Sequence, residues 1–387
     1  MVIVGGAIVG SAIATFLAAH PDFGGRIVVV ERDPTFRTAS TTLSAASIRL
    51  QFSTPLNIEI SRFGLDVVRH PDRYLAVDGA SPEVDFIEGG YLFLATAAGL
   101  PVLEANHAVQ RALDVPVALL SPAELAARFS WIRTDDLAGA SLGLADEGWF
   151  DAYALLQGFR RRARSLGVEE RVGEVVGVEC AGGRVEQVQL ADGSVIGADW
   201  VVNAAGPRAA EVAAFAGIEL PVRPRKRLVF HVESPVSLGP APLTVDPTGL
   251  YFRPEGPSYL AGFSPLADDA DPDTLDLGVD RSRFESFVWP ALAHRVPAFD
   301  ELRLLDAWAG HYEVNTVDHN AIVGPHPDVS NFLFANGFSG HGLQQAPAVG
   351  RGIAEWIATG RYASIDLSPL GYERIANNEP IRELNVI

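Results

Sequence analysis

Cysteine is all but absent: Cys180 is the only one in 387 residues. That excludes internal disulfides and any cysteine-based metal centre. Cys180 falls in a strand-like segment, so core packing rather than catalysis is expected of it. Long apolar runs are missing too. None reaches the roughly 18 residues that a membrane-spanning helix needs. No basic leader precedes the first fold element, which makes a cytoplasmic location the default expectation. Positive charge is in short supply: 30 Lys and Arg stand against 48 Asp and Glu, a net charge of −18. Such a surface disfavours nucleic acid and anionic membrane as partners; solubility accounts for it. The acidic loop Asp268 to Asp280 lacks the ligand spacing and closing Glu of a calcium loop, so no metal is expected.

What is present begins at once. Val2, Ile3 and Val4 form a β-branched run of the kind buried on both faces of a parallel sheet. Gly5-Gly6-Ala7-Ile8-Val9-Gly10 follows, then apolar residues at helical spacing (Ile13, Phe16, Leu17), then a second run, Ile27 to Val30, ending on Glu31. Strand, glycine turn, helix, strand and acid make the βαβ unit that binds a dinucleotide. The turn lets backbone approach a pyrophosphate, the helix N-terminus offers free N–H groups, and the carboxylate takes the ribose hydroxyls. The middle glycine of G-x-G-x-x-G is Ala7, which narrows the approach without closing it. Glu31 argues against a 2′-phosphate; Arg32 beside it pulls the other way.

Further along, Asp33 to Ser47 is a loop rich in Ser and Thr that can present hydroxyls to a phosphate. A helix is predicted from Pro55, another from Leu100 to Leu113, and a capping-box helix from Ser121. Asp151 caps a helix that ends at Gly167. Val172 to Val178, Val185 to Leu190 and Val195 to Ile196 read as a small meander, and Trp200 to Asn203 as a buried strand breaking into Ala204-Ala205-Gly206-Pro207. Small residues there suit backbone lying against a flat ligand.

A second glycine turn, Gly337 to Gly342, lies between the strand Phe332 to Ala335 and a helix predicted from Ala346 to Thr359. Its helix N-terminus can face another electron-rich group. Two distant glycine turns suit a long cofactor held at both ends, and FAD fits better than NAD because it has a second, larger ring system to seat.

These residues resemble a known family. Val2 to Gly10, Val30-Glu31-Arg32, Ser47 to Ser53, Val202 to Gly206, Trp308 to Glu313 and Gly337 to Gly342 are similar to the FAD-dependent amine and amino-acid oxidoreductases of the D-amino-acid-oxidase-like superfamily, glycine and sarcosine oxidases among them. Ile48 to Ser53, Arg225-Lys226-Arg227 and Asn315 to Pro325 look most like the branch of the mitochondrial complex I assembly flavoprotein and its bacterial relatives. The resemblance implies an α/β fold: a Rossmann-like, glutathione-reductase-like FAD-binding domain with a second α+β substrate domain on a mixed, largely antiparallel sheet. The expected divisions are 1–75, 149–215 and 318–387 for FAD, and 76–148 and 216–317 for substrate.

The same resemblance implies site residues. Gly5, Gly6, Ala7, Ile8, Val9, Gly10, Glu31 and Arg32 would meet the adenosine diphosphate, with Val175 on the adenine side and Ala204, Ala205 and Gly206 nearby. Ser44, Ala45 and Arg49 would lie along the flavin, Gly310 near the ring, and Gly340, His341, Gly342, Leu343 and Gln344 at its pyrimidine end. Arg49, Tyr251, Arg253, His311 and Tyr312 are the candidates facing the ring, with Arg253 a possible carboxylate clamp. Gly310 stands where sarcosine oxidases carry a flavin-linked cysteine, so the FAD would be non-covalent. Phe52 and Gln344 stand where those enzymes carry carboxylate-binding cations, and Leu260 near their oxygen-activating lysine.

The implied activity is oxidation of a C–N bond in an amino acid or N-substituted amino acid. The acceptor, O2 or a protein or quinone partner, stays open, as does a homo- or hetero-oligomer. The alternative from another class is a flavin-binding assembly or partner-docking protein with little turnover.

Overall fold

A computed structural model describes residues 1–265 and 269–384. Asp268, the first residue of the acidic loop, lies outside them.

The β-branched runs become the centre of a six-stranded sheet. Its order is Ile322–Pro325, Phe332–Asn336, Val201–Asn203, Val2–Val4, Val28–Glu31, Glu169–Val172. All neighbours run parallel except the first pair. Val2, Ile3, Val201, Val202, Phe332, Leu333 and Phe334 have no more than 0% exposure, because both faces are covered. On one face pack the helices Ile8–Ala18, Ala152–Ser165 and Gly342–Thr359. On the other packs a three-stranded antiparallel sheet, Val175–Ala181, Arg184–Leu190 and Val195–Gly197.

A second, eight-stranded sheet runs in the order Arg303–Asn315, Val222–Glu233, Ser258–Phe263, Leu250–Glu255, Leu243–Val245, Tyr91–Ala95, Gly139–Gly143, Val117–Leu120. Its pairs are antiparallel except Leu243–Val245 with Tyr91–Ala95. Phe230, Phe252, Phe299 and Val288 form the core behind it. Ser121 closes a capping box with Glu124, and the Asp151 carboxylate accepts the Ala154 N–H at 2.8 Å.

Four expectations change. Val172 ends the edge strand Glu169–Val172 of the six-stranded sheet, and the meander starts at Val175; Gly173 turns the chain between them. The long helix after the second glycine turn begins at Gly342, not Ala346. Pro347 reads as a first-turn signal in sequence, yet it sits one turn further in. The sequence also predicts a helix over Arg281 to His294; it opens as a π-turn, Phe284–Val288, before Trp289–Arg295. Cys180 is exposed, beyond the last buried residue of its strand, Val178.

The helices Ile8–Ala18 and Gly342–Thr359 touch at backbone distance. A Cβ on Gly350 would stand 2.8 Å from the Ala12 carbonyl carbon. Gly350→Val should therefore push the helices apart and lower stability by about 1–3 kcal/mol, read as a lower urea midpoint.

Candidate active site

One cavity of about 360 Å³ runs between the two large sheets. Both glycine turns line it: Gly5, Ala7, Ile8 and Val9 at one end, Gly340, His341, Gly342, Leu343 and Gln344 at the other. Gly5 needs its freedom, since it has φ +99° and a Cβ would meet the Ala204 carbonyl oxygen at 2.3 Å. Gly10 serves packing instead: a Cβ there would sit 1.9 Å from the Gly5 carbonyl oxygen. Gly6 donates its N–H to Glu31 Oε2 at 2.8 Å, and Asp33 N–H donates to Oε1 at 2.8 Å, so the carboxylate is fixed at the cavity wall. Neither Gly6 nor Gly10 lines the cavity itself, in contrast to the sequence expectation. Arg32, Ala204, Ala205 and Gly206 do. Val175 lines a smaller adjoining pocket of about 90 Å³, which shares Gly5, Glu31, Arg32 and Ala205 with the first.

The residues present fit FAD. At the start of the Ile8–Ala18 helix, Ala7, Ile8 and Val9 line the cavity beside Thr38, Ser40 and Thr41, and the Ile8 N–H reaches Thr41 Oγ1 at 3.4 Å. Ser40 Oγ is buried and has no hydrogen-bond partner among the described residues. The Gly342–Thr359 helix starts at His341 without a side-chain cap, so its first N–H groups are free for an electron-rich ring edge. The span between the two turns is lined by Leu43, Ser44, Ala45 and Gly310. No metal-binding cluster of His, Cys, Asp or Glu occurs among the described residues.

Arg49 is the charged centre of the ring end. It is 2% exposed and lines the cavity. Nη1 donates to the Gln51 carbonyl at 2.7 Å and Nη2 to His341 Nε2 at 2.9 Å. Its guanidinium carbon lies 4.4 Å from the Phe52 ring centroid and 5.2 Å from that of Phe93. The Arg49 N–H donates to Gln344 Oε1 at 2.8 Å. So Phe52 and Gln344, the two positions read as lost cations, build the cradle for this one. His341 accepts as a neutral imidazole, with burial, then Arg49, pushing its pKa down to about 3.

Behind Arg49 stands Glu147, which is fully buried and outside the cavity. It accepts from Leu50 N–H at 2.7 Å, Gln51 N–H at 3.0 Å and Gln51 Nε2 at 2.8 Å. Burial pushes its pKa up to about 7. The chain direction at Arg49 is thereby pinned from the rear.

The eight-stranded sheet contributes Tyr91, Arg227, Leu243, Tyr251 and Tyr312. Burial pushes Tyr91 up to about 12 and raises Tyr251 and Tyr312 as well, so all three stay neutral donors. His311 lines the rim, and its Nε2 is buried with no partner among the described residues. It alternates along the strand with Gly310 and Tyr312 and meets Lys226 and Asp276.

Arg253 does not line the cavity. Its Nε donates to the Ala45 carbonyl at 3.0 Å, Nη1 donates to the Pro254 carbonyl at 2.8 Å and pairs with Glu255, and it stacks on Trp149. The clamp proposed for it is therefore not available; it braces the flavin loop instead. Leu260 is buried at 5% exposure and also lies outside the cavity. Tyr91, Arg227 and Glu313 are among the cavity residues that the sequence reading did not single out as site residues. Arg227 stood only as a family mark, and nothing local distinguishes it from Arg225.

Glu313 lines the cavity with its Oε2 shut off from solvent and unpartnered among the described residues. Burial raises its pKa from 4.5 to about 8. Between those values the folded chain retains a proton that the unfolded chain loses, so stability falls as pH rises. Glu147 and the buried histidines titrate in the same range, so the Glu313 contribution is read as a difference. In urea unfolding of the cofactor-free protein, the wild type should lose stability relative to Glu313→Gln as pH rises from 4.5 to about 8.

The FAD dependent oxidoreductase (DAO) family matches residues 1–356. FAD-dependent oxidoreductase domain-containing protein 1 of Xenopus laevis is 42% identical over 425 aligned residues, spanning 100% of this chain and 84% of that protein. Among solved structures, L-proline dehydrogenase from P. horikoshii superposes with a TM-score of 0.86 at 24% identity, over 98% of each chain. Glycine oxidase from Geobacillus kaustophilus gives 0.81 at 23% identity, over 96% of this chain and 97% of that one. The family model spans nearly the whole chain, both glycine turns included, and the chain belongs to the FAD-dependent oxidoreductases of the DAO family.

Proposed function

We propose that the chain oxidises the C–N bond of an amino acid or an N-substituted, secondary or tertiary, amino acid. The observation that carries this reading is the ring end of the cavity, where Arg49 and three neutral tyrosines line one space. Bound FAD supplies an acceptor for the hydride that leaves the α-carbon at N5. The chain's residues supply the rest. Arg49 holds a fixed positive charge where the ring gains electrons, a preorganised dipole that needs no rearrangement. Tyr91, Tyr251 and Tyr312 position the substrate by hydroxyl donors and exclude water until the imine forms; water then hydrolyses it. Gly310 lies against Leu43 with no side chain to offer, and the single cysteine is outside the cavity, which supports non-covalent FAD.

A specific observation favours passage of electrons to a protein or quinone rather than O2. The only lysine, Lys226, bonds Asp276 Oδ2 and the Gly278 carbonyl, each at 2.9 Å, and does not line the cavity. The similarity to a proline dehydrogenase fits the same reading.

Anaerobic mixing of the FAD-loaded protein with N-methyl, opine-like and D-amino acids should bleach the flavin bands for one class. Acid precipitation should release all the flavin. Arg49→Met should keep bound FAD and slow the bleaching by about 10²-fold or more. No bleaching by any amine would turn the reading to an assembly or partner-docking flavoprotein, the role that the sequence resemblance also suggests.

A further inference from the structure

Two guanidinium groups reach the ring end, and they are held in different ways. Arg49 is anchored within the interior on every side described above. Arg227 lines the cavity from the Val222–Glu233 strand, with its guanidinium carbon 5.3 Å from the Tyr312 ring centroid. Nη1 and Nη2 donate to Oδ1 and Oδ2 of Asp271 at 2.8 and 3.0 Å. Its Nε is buried and has no hydrogen-bond partner among the described residues. The fork thus already grips a carboxylate in the two-point geometry that arginine reads best.

That carboxylate comes from a surface loop, residues 269–280. Basic residues hold the loop down: Arg225 pairs with Asp273 at 3.2 Å, Lys226 with Asp276 at 2.9 Å and Arg283 with Asp269 at 2.6 Å. The carboxylates of Asp273 and Asp276 are 51% and 65% exposed, so those pairs contribute little. One backbone bond joins them, Thr274 N–H to the Pro224 carbonyl at 3.0 Å. Leu275 and Leu277 of the same loop line the cavity, and Leu275 is 42% exposed. The loop covers the pocket through exchangeable contacts, and Asp271 is the acid it places on the Arg227 fork.

We infer that Arg227 recognises the carboxylate of this pocket's substrate, and that Asp271 fills that place until substrate arrives. The ligand class is an amine bearing a carboxylate, its charge on the Arg227 fork and its body against Tyr251 and Tyr312. Entry of the carboxylate releases Asp271, and with it the loop's grip at the cavity mouth. This deepens the proposed function and rests on it only in the choice of an amine as ligand.

The test uses the FAD-loaded protein, with pyrrole-2-carboxylate and its neutral carboxamide as probes and the flavin absorbance shift as readout. The wild type should bind the carboxylate roughly tenfold or more tightly over the carboxamide. Arg227→Gln should retain FAD and lose that preference. Asp271→Asn should strengthen carboxylate binding about tenfold, because no internal anion competes. A preference that survives Arg227→Gln, a wild type that ignores the charge, or weaker carboxylate binding in Asp271→Asn overturns the inference. If Arg227→Gln loses FAD, the Asp271→Asn result decides alone. Amine-driven bleaching that is indifferent to both substitutions would sink this inference and leave the proposed function standing. A charge preference that depends on Arg227, without bleaching by any amine, would do the reverse.

Discussion

Arg49 carries a charge that nothing in the physiological range removes, and the fold keeps it 2% exposed. An isolated buried cation is very unfavourable, so the structure around it has little latitude. Gln51 and Phe52 come from its own segment, Phe93 from the eight-stranded sheet, and His341 and Gln344 from the start of the Gly342–Thr359 helix. Glu147 fixes the backbone that follows Arg49, at Leu50 and Gln51. The arginine therefore ties its own segment, the eight-stranded sheet and the second glycine turn into one arrangement. A shift in any of these segments would cost the charge one of its partners.

The same constraint explains two substitutions that look like losses in sequence. Phe52 offers its ring face to the guanidinium and its edge region to His341, with the two ring centroids 5.2 Å apart. Gln344 turns its carbonyl oxygen to the Arg49 N–H. A cation at either position would face Arg49 at close range. Repulsion in so dry a place forbids it.

What could be read from the sequence was local. The Gly5–Gly10 turn, the acid at Glu31 and the glycines before the Gly342–Thr359 helix depend on spacing along a single segment, and spacing is visible. The helix caps at Ser121 and Asp151 are visible for the same reason. The pairing of strands is not. Arg227 meets the cavity because its strand lies beside Arg303–Asn315, in a register that sets it opposite Gly310. Arg253 is drawn away because the Ala45 carbonyl and the Trp149 ring, each distant in sequence, come up against it. Nor does a composition of alternating Val and polar residues say where a meander stops being buried, as the exposed Cys180 shows.

The cavity joins residues 5–9 to residues 340–344, and its two helices meet at Ala12 and Gly350. More than three hundred residues separate the halves of the grip. During synthesis the first half waits, complete in outline, with nothing to close against. The nucleotide end can engage early, but the isoalloxazine end exists only after the ribosome has made the Gly342–Thr359 helix. A chain that stops short of that helix lacks Gly342, Leu343 and Gln344 and leaves that end of the cavity open.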